Sequence, residues 1–262
     1  MKIGLCMNHT KPEYYDSLKY MQIDYVELQL ATFFEMSESE VDNLKNYLDS
    51  LNISCPAMNF MIPASLRVTG EEVDYVAIEN YLNTTLAKVS KLGTNLIVFG
   101  STRARKLDEY TSYEKGYAQM VYLLKEIVSP IFAKYNCVCA IEPLCDDNLI
   151  TTISQGLSLV KDVDRDNVKL LIDFYHTQKN GEDTSNLEEY RNYIVHTHIA
   201  CENGRHYPTT LDPDDYASMF GALKDIGYDG MMSLEGHLRE GEDISTSVNQ
   251  AVALLKRISS QI

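Results

Sequence analysis

The sequence predicts an α/β fold, a single (β/α)₈ barrel domain over residues 1–262. Three observations support this prediction: the length of 262 residues, eight short apolar or β-branched runs, and helical patterns between those runs. Closed parallel barrels of this kind are typically about 250 residues long. An open doubly wound sheet is the alternative, but no glycine-rich phosphate-binding turn follows the first run.

Eight strands are predicted because short apolar runs recur along the chain at the spacing of strand–helix units. In chain order they are KIGLCM (2–7), YVELQL (25–30), ISCPAMNF (53–60), TNLIVFG (94–100), VCAIEPL (138–144), VKLLIDF (168–174), YIVHTHI (193–199) and GMMSLEG (230–236).

Helices are predicted between these strands from capping signals and a 3.6-residue period. Ser37 and Glu40 form a capping-box signature, and apolar residues from Val41 to Leu51 then recur on one face. The stretch SVNQAVALLKRI near the end of the sequence has the same period. Strand and helix therefore alternate from the first run to the last.

Composition and charge exclude several classes of function. The formal net charge of −15 repels nucleic acid, and the basic cluster of Arg103, Arg105 and Lys106 is too small to hold a duplex, so we expect a solvated loop there. The six cysteines have no metal-finger spacing and are expected to be reduced core thiols. No apolar run is long enough to span a membrane, and no leader pattern is visible, so a soluble, cytoplasmic protein is expected.

The last four predicted strands each end in a residue that can bind a metal: Glu142, Asp173, His198 and Glu235. Chemistry in such barrels is located at the carboxyl ends of the strands. Three carboxylates beside an imidazole would repel one another unless a cation lay between them. An oxygen-rich set favours one divalent cation, for which Mn²⁺ is our prediction and Mg²⁺ or Co²⁺ the alternatives.

His196 lies two residues before His198, so both side chains point to the same face of their strand. We place His198 at the rim as a metal ligand and His196 one layer deeper. His196 is then either a polar support for His198 or a residue that lines the substrate site.

Five motifs resemble those of the xylose isomerase-like barrel superfamily, in particular its sugar isomerase and epimerase group. They are VFGSTRAR (98–105), IEPLCDDN (141–148), LLIDFYH (170–176), HTHIACENGRHYP (196–208) and IGYDGMMSLE (226–235). The resemblance implies the same four metal ligands. It also implies that His176 and Arg205 bind substrate, and it makes a homo-oligomer an expectation.

These features predict a divalent-metal-dependent sugar isomerase or epimerase with a small sugar or polyol ketone as substrate. Glu142 and Glu235 would transfer a proton next to a carbonyl through a metal-stabilised enediolate. The alternative on the same fold is a metal-dependent lyase or dehydratase of a keto-inositol or a 3-keto-glycoside.

Two further classes are disfavoured. Abasic-site endonucleases share this barrel, but their three-zinc cluster needs more histidines at strand ends and a basic DNA-facing surface. A barrel that only binds a ligand is disfavoured by the complete set of metal ligands.

Overall fold

The computed structural model describes residues 1–145 and 148–262. Asp146 and Asp147, which belong to the IEPLCDDN motif, lie outside the described residues. The eight strands form one closed parallel sheet in the order β1 to β8, with β8 paired to β1. The predicted barrel is therefore confirmed.

Each predicted run contains one strand of the barrel. The strands are β1 (Lys2–Met7), β2 (Tyr25–Gln29), β3 (Ser54–Asn59), β4 (Leu96–Phe99), β5 (Val138–Ile141), β6 (Val168–Asp173), β7 (Ile194–Ile199) and β8 (Met231–Leu234). Where the observed strand is shorter than the predicted run, the remaining residues lie in the connections at either end of the strand, and Leu30 and Phe174 begin the helical segments that follow.

At least one helix follows each strand in the described part of the chain. The helices are α1 (Pro12–Tyr15), α2 (Glu38–Ser50), α3 (Tyr75–Val89), α4 (Thr102–Arg105), α5 (Tyr113–Tyr122), α6 (Ser129–Lys134), α7 (Ile153–Val163), α8 (Phe174–Lys179), α9 (Tyr216–Asp225) and α10 (Ile244–Gln261). A π-helical segment, Leu123–Val128, joins α5 to α6. Short 3₁₀ turns occupy Leu18–Tyr20, Leu30–Phe33, Ser90–Leu92 and Glu188–Tyr190.

The local sequence signals explain the ends and faces of these helices. Ser37 and Glu40 form the reciprocal capping box that begins α2. In α10, the residues predicted on one face are all buried against the barrel; they are Val248, Ala251, Val252 and Leu255. None of the described helices is both long and apolar enough to cross a lipid bilayer.

Strand residues alternate between the barrel interior and the surrounding helices. A small apolar cluster fills the lower interior and contains Ala57, Leu96, Val98, Ala140 and Leu171. Cys137 and Cys139 have the opposite parity from Ala140 and lie in the larger core toward the helices. None of the six cysteines forms a disulfide, as the sequence predicts.

The interior above this cluster is polar. Tyr25 is fully buried, and a Cβ atom at Gly4 would collide with its ring. Glycine at position 4 therefore leaves room for the tyrosine inside the barrel. This arrangement places the Tyr25 hydroxyl beneath the carboxyl ends of the strands.

Candidate active site

The four predicted metal ligands lie together at the carboxyl ends of neighbouring strands. Glu142 directly follows β5, Asp173 ends β6, His198 is the penultimate residue of β7, and Glu235 directly follows β8. Each offers one ligand atom, and these four atoms lie within 4.8 Å of one another. The four side chains therefore form one cluster at the rim of the barrel.

The two carboxylate oxygens of Asp173 have different partners. Oδ1 accepts a hydrogen bond of 2.9 Å from the Tyr175 backbone N–H and so caps α8. Oδ2 points to the cluster, 3.5 Å from His176 Nε2 and 3.3 Å from Arg205 Nη2. The capping contact fixes the orientation in which the second oxygen faces the other ligands.

The loop after β4 approaches the Glu142 carboxylate closely and leaves room for it. A Cβ atom at Gly100 would collide with Glu142 Oε2, so glycine is required there for the observed carboxylate position. Glu142 Oε1 is buried and accepts no hydrogen bond from the described residues. It lies 3.4 Å from His198 Nδ1.

The donor set fits one hard divalent cation. It consists of three carboxylates and one imidazole nitrogen, and two of the three carboxylates are almost fully buried: Glu142 is 4% exposed and Asp173 1% exposed. Buried carboxylates are costly unless their charge is compensated. The buried Glu142 Oε1 without a hydrogen bond is the atom that such a cation would satisfy.

Glu27, a residue that the sequence analysis missed, orients His198. Its side chain is fully buried in the barrel, and Oε1 lies 3.0 Å from His198 Nε2. His198 therefore donates from Nε2 to Glu27 and presents Nδ1 to the carboxylates of the cluster. Carboxylate–histidine pairs of this kind fix the ring and tautomer of metal-binding histidines. The signal in the sequence was a charged residue in the apolar run YVELQL, on the face that points inward.

A hydrogen-bond network beneath the cluster holds Glu27. Ser233 Oγ donates to Glu27 Oε2 at 2.6 Å and lies 2.8 Å from the Tyr25 hydroxyl. His196 Nε2 contacts the same carboxylate oxygen at 2.7 Å. His196 is fully buried, and it is absent from the described linings of the cavities at the rim. Of its two predicted roles, the geometry favours the polar support.

His176 lies on the first turn of α8 and points into the cluster. Its Nδ1 accepts a hydrogen bond of 3.0 Å from the Cys145 backbone N–H. With Nδ1 as acceptor, the neutral ring carries its proton on Nε2. Nε2 lies 3.5 Å from Asp173 Oδ2 and 3.9 Å from Glu142 Oε1. His176 can therefore donate to an oxygen that lies beside these carboxylates.

Arg205 brings a positive charge to the same place. Its Nη2 lies 2.5 Å from Glu235 Oε2, and its guanidinium lies 4.7 Å from the centre of the Tyr175 ring. Burial opposes ionisation of Glu235, but Arg205 and His198 outweigh that effect and lower its pKa to about 2. Burial raises the pKa of Asp173 above its usual value. The two carboxylates thus differ in their readiness to hold a proton.

Two cavities meet at the cluster, and strained backbone lines both. The larger has a volume of about 330 Å³ and is lined in part by Glu235 and Arg205; the smaller includes Glu142. Phe60, Ser101 and Arg205 line these cavities and have φ values of 50°, 38° and 52°. Non-glycine residues with positive φ are uncommon and are concentrated at functional sites.

The expectation of a solvated loop around Arg103 is wrong for Arg105. Arg105 is fully buried and donates hydrogen bonds of 2.8 Å to the carbonyl oxygens of Phe99 and Glu142. These carbonyls lie at the ends of neighbouring strands, where the Phe99 carbonyl also accepts a longer hydrogen bond of 3.4 Å from the Glu142 backbone N–H. Arg105 therefore supports the backbone that carries Glu142, whereas Arg103 is exposed.

Comparisons with known proteins identify one family over most of the chain. Residues 16–258 match the model of the xylose isomerase-like TIM barrel family. The 3-dehydro-D-guloside 4-epimerase of Escherichia coli (strain K12) is 27% identical over 144 residues, which cover 54% of each protein. The inosose isomerase of Halalkalibacterium halodurans is 21% identical over 255 residues, 91% of this chain and 86% of that protein.

Structural similarity extends over the whole barrel. The crystal structure of D-psicose 3-epimerase with D-tagatose from Clostridium cellulolyticum H10 has a TM-score of 0.84 at 19% identity, with 99% of both chains covered. The sequence alignments with three of the curated relatives are shorter and span 33% to 58% of the length of those proteins. Since the family model covers nearly all of the sequence, the chain belongs to the xylose isomerase-like TIM barrel family.

Proposed function

We propose that this protein is a divalent-metal-dependent sugar isomerase or epimerase that moves a proton on a carbon next to a carbonyl. The observation that carries the proposal is the cluster of Glu142, Asp173, His198 and Glu235, whose ligand atoms lie within 4.8 Å of one another beside two cavities. The relatives named above include a sugar 4-epimerase and an inosose isomerase.

The cation would be held by Glu142, Asp173, Glu235 and His198 Nδ1. When bound, it supplies positive charge that stabilises the negative charge developing on the substrate carbonyl oxygen during proton removal. An oxygen-rich donor set with one imidazole favours Mn²⁺, with Mg²⁺ and Co²⁺ as alternatives.

Glu142 and Glu235 are suited to transfer the proton. Both glutamates line the smaller cavity, and Glu235 also lines the larger one, so a substrate that enters the smaller cavity meets both carboxylates. One carboxylate takes the proton from the carbon and the other returns a proton to the opposite face, which inverts that carbon. Return of the proton to the neighbouring carbon instead gives the aldose–ketose isomer. Positioned carboxylates of this kind contribute about 10²–10⁴-fold to such rates.

His176 and Arg205 would orient the substrate. The Nε2–H of His176 points toward the space between Asp173 and Glu142, where it can donate to a hydroxyl oxygen. Arg205 contacts Glu235 and Asp173 and can donate to an oxygen on the other side. Donors on both sides hold the substrate with its reacting carbon between the two glutamates.

The test is deuterium exchange in D₂O with Mn²⁺ and a pool of ketoses, keto-inositols and 3-keto-glycosides, followed by NMR and mass spectrometry. We expect deuterium in an epimer or isomer, and its loss in Glu142→Gln and Glu235→Gln. Glu240→Gln, an exposed glutamate five residues after Glu235, is the matched control and should retain exchange. Deuterium uptake with loss of water or an aglycone would identify the lyase alternative. No exchange in a folded, Mn²⁺-loaded protein across the pool would contradict the proposal.

A further inference from the structure

The larger cavity extends from the cluster toward strands that supply none of its four ligands. One wall is formed by Glu235 and Arg205. A second wall comes from the ends of β1, β2 and β3 and the loop after β1, and its polar members are Asn8, Lys11, Tyr14, Gln29 and Asn59. A substrate whose reacting carbons lie at the cluster would therefore place its remaining carbons against this second wall.

The size of the cavity exceeds the needs of a three-carbon substrate. Its volume of about 330 Å³ equals that of about eleven water molecules at the density of the liquid. A six-carbon ketose, with twelve non-hydrogen atoms, is on this scale. A three-carbon hydroxyketone, with half as many non-hydrogen atoms, would leave about half of the space to water. The cavity therefore favours a substrate with a chain beyond its reacting carbons.

Asn59 offers a hydrogen-bond acceptor to the middle of the substrate's carbon chain. Its side chain is 4% exposed, and Nδ2 donates to Glu235 Oε1 at 3.3 Å. Its Oδ1 is buried and has no hydrogen-bond partner among the described residues. A buried amide oxygen without a partner is costly, so this atom is suited to accept a hydrogen bond from a substrate hydroxyl.

Lys11 contributes a positive charge to the second wall, although the protein as a whole is strongly acidic. The formal net charge of the chain is −15, yet the charged residues that line the cavity are Lys11, Arg205 and Glu235. Arg205 is engaged by Glu235 and Asp173. Lys11, in contrast, is solvent-exposed where it lines the cavity, and its ammonium forms no ion pair or hydrogen bond within the described part of the chain. A cation in this position can hold an anionic group of the substrate.

The chemistry of the wall favours a carboxylate over a phosphate. Phosphate sites combine several cations with backbone N–H groups at a helix start or a nest. Here one lysine is accompanied by the carboxamides of Asn8, Gln29 and Asn59. The helix that follows, α1, has only four residues. A single negative charge with adjacent hydroxyls is the group that these side chains match.

We propose that the substrate is a keto-sugar acid whose carboxylate lies against Lys11, and that Lys11 is the residue that determines this specificity. This inference rests on the proposed isomerase or epimerase function, because the carbonyl end must lie at the four-residue cluster. It assigns the polar wall from β1 to β3 as the binding site for the acidic end of the substrate.

The experiment compares matched ketoses that differ only at carbon six, as a carboxylate, a hydroxymethyl group or a phosphate. The measured quantity is kcat/KM for deuterium incorporation with the Mn²⁺-loaded protein. We expect wild type to prefer the carboxylate over the hydroxymethyl compound by about tenfold or more, as a charge-assisted hydrogen bond provides. In Lys11→Met this ratio should fall to about one, mostly through KM. Lys19→Met, which removes an exposed lysine outside the cavity, should keep the wild-type ratio.

The outcomes separate failure of this inference from failure of the proposed function. Exchange of the neutral ketose at an equal or higher rate, or an acid preference that survives Lys11→Met, would overturn the inference and leave the isomerase function intact. A preference for the phosphate compound would likewise overturn the carboxylate assignment. If a folded, Mn²⁺-loaded protein exchanges none of the three compounds, the proposed function fails for ketoses and the inference fails with it.

Discussion

Replacement of Glu27 by glutamine should weaken the cation site without touching any of its four proposed ligands. Glu27 is fully buried and is contacted by His198 Nε2 at 3.0 Å, His196 Nε2 at 2.7 Å and Ser233 Oγ at 2.6 Å. Glutamine has nearly the same shape but only one acceptor oxygen, and its NH₂ group would face an N–H or O–H donor. His198 would then lose the contact that holds Nδ1 toward the cluster.

The magnitude follows from the number and kind of contacts that are lost. Burial opposes ionisation of Glu27, but His198 and His196 lower its pKa well below the ordinary value. Breaking one buried, charge-assisted contact costs about 3 kcal/mol of folding free energy. Loss of a carboxylate that orients a metal-binding histidine lowers metal affinity by about 10- to 100-fold. We expect both effects in Glu27→Gln.

The assay is a Mn²⁺ titration of the metal-free protein by calorimetry, together with urea unfolding of the same samples. Glu240→Gln, an exposed glutamate, is the control for loss of one negative charge. A folded Glu27→Gln protein with a Mn²⁺ affinity within about twofold of wild type would refute the argument that Glu27 orients His198.

Three further substitutions test other parts of the structure. Gly100→Ala should displace the Glu142 carboxylate, because the new Cβ would collide with it, and should lower deuterium exchange by about 100-fold; unchanged exchange would show that this carboxylate need not be held there. Burial lowers the pKa of His9 to about 4, so the unfolded chain binds a proton between about pH 6.5 and pH 4 that the folded chain does not. Stability should therefore fall by up to about 3 kcal/mol as the pH falls through this range, and urea unfolding of His9→Leu should lack that loss; an identical pH dependence in both proteins would contradict this. Arg105→Met removes the guanidinium donor from two buried carbonyl oxygens, of which only that of Phe99 keeps a bond, 3.4 Å from the Glu142 N–H, and should cost about 3 kcal/mol in urea unfolding, whereas the exposed Arg103→Met should change stability by less than about 0.5 kcal/mol; equal effects would argue against the structural role.

The barrel and the four-residue cluster could be predicted from the sequence because both depend on local patterns. Alternation within a strand decides which side chains point inward, and the carboxyl end of each strand decides which of them reach the rim. All four residues of the cluster satisfy both conditions: Glu142, Asp173, His198 and Glu235. Their proximity could therefore be predicted without knowledge of side-chain contacts.

The supporting residues could not be predicted because their roles depend on contacts between distant parts of the chain. Glu27 is 171 residues from His198 in sequence, and its role depends on the closure of the sheet that places β2 opposite β7. Arg105 lies in a basic, turn-like stretch, and only the fold shows that two carbonyl oxygens at strand ends need its guanidinium. The strained conformations of Phe60 and Ser101 likewise have no sequence signal, since neither residue type prefers positive φ.

The most direct test of the central claim is pulsed electron paramagnetic resonance of the protein loaded with one equivalent of Mn²⁺. We expect one bound Mn²⁺ per chain with coupling to a single imidazole nitrogen, that of His198, and loss of this coupling in His198→Gln. A chain that binds no Mn²⁺ while folded, or a nitrogen coupling that persists in His198→Gln, would contradict the account.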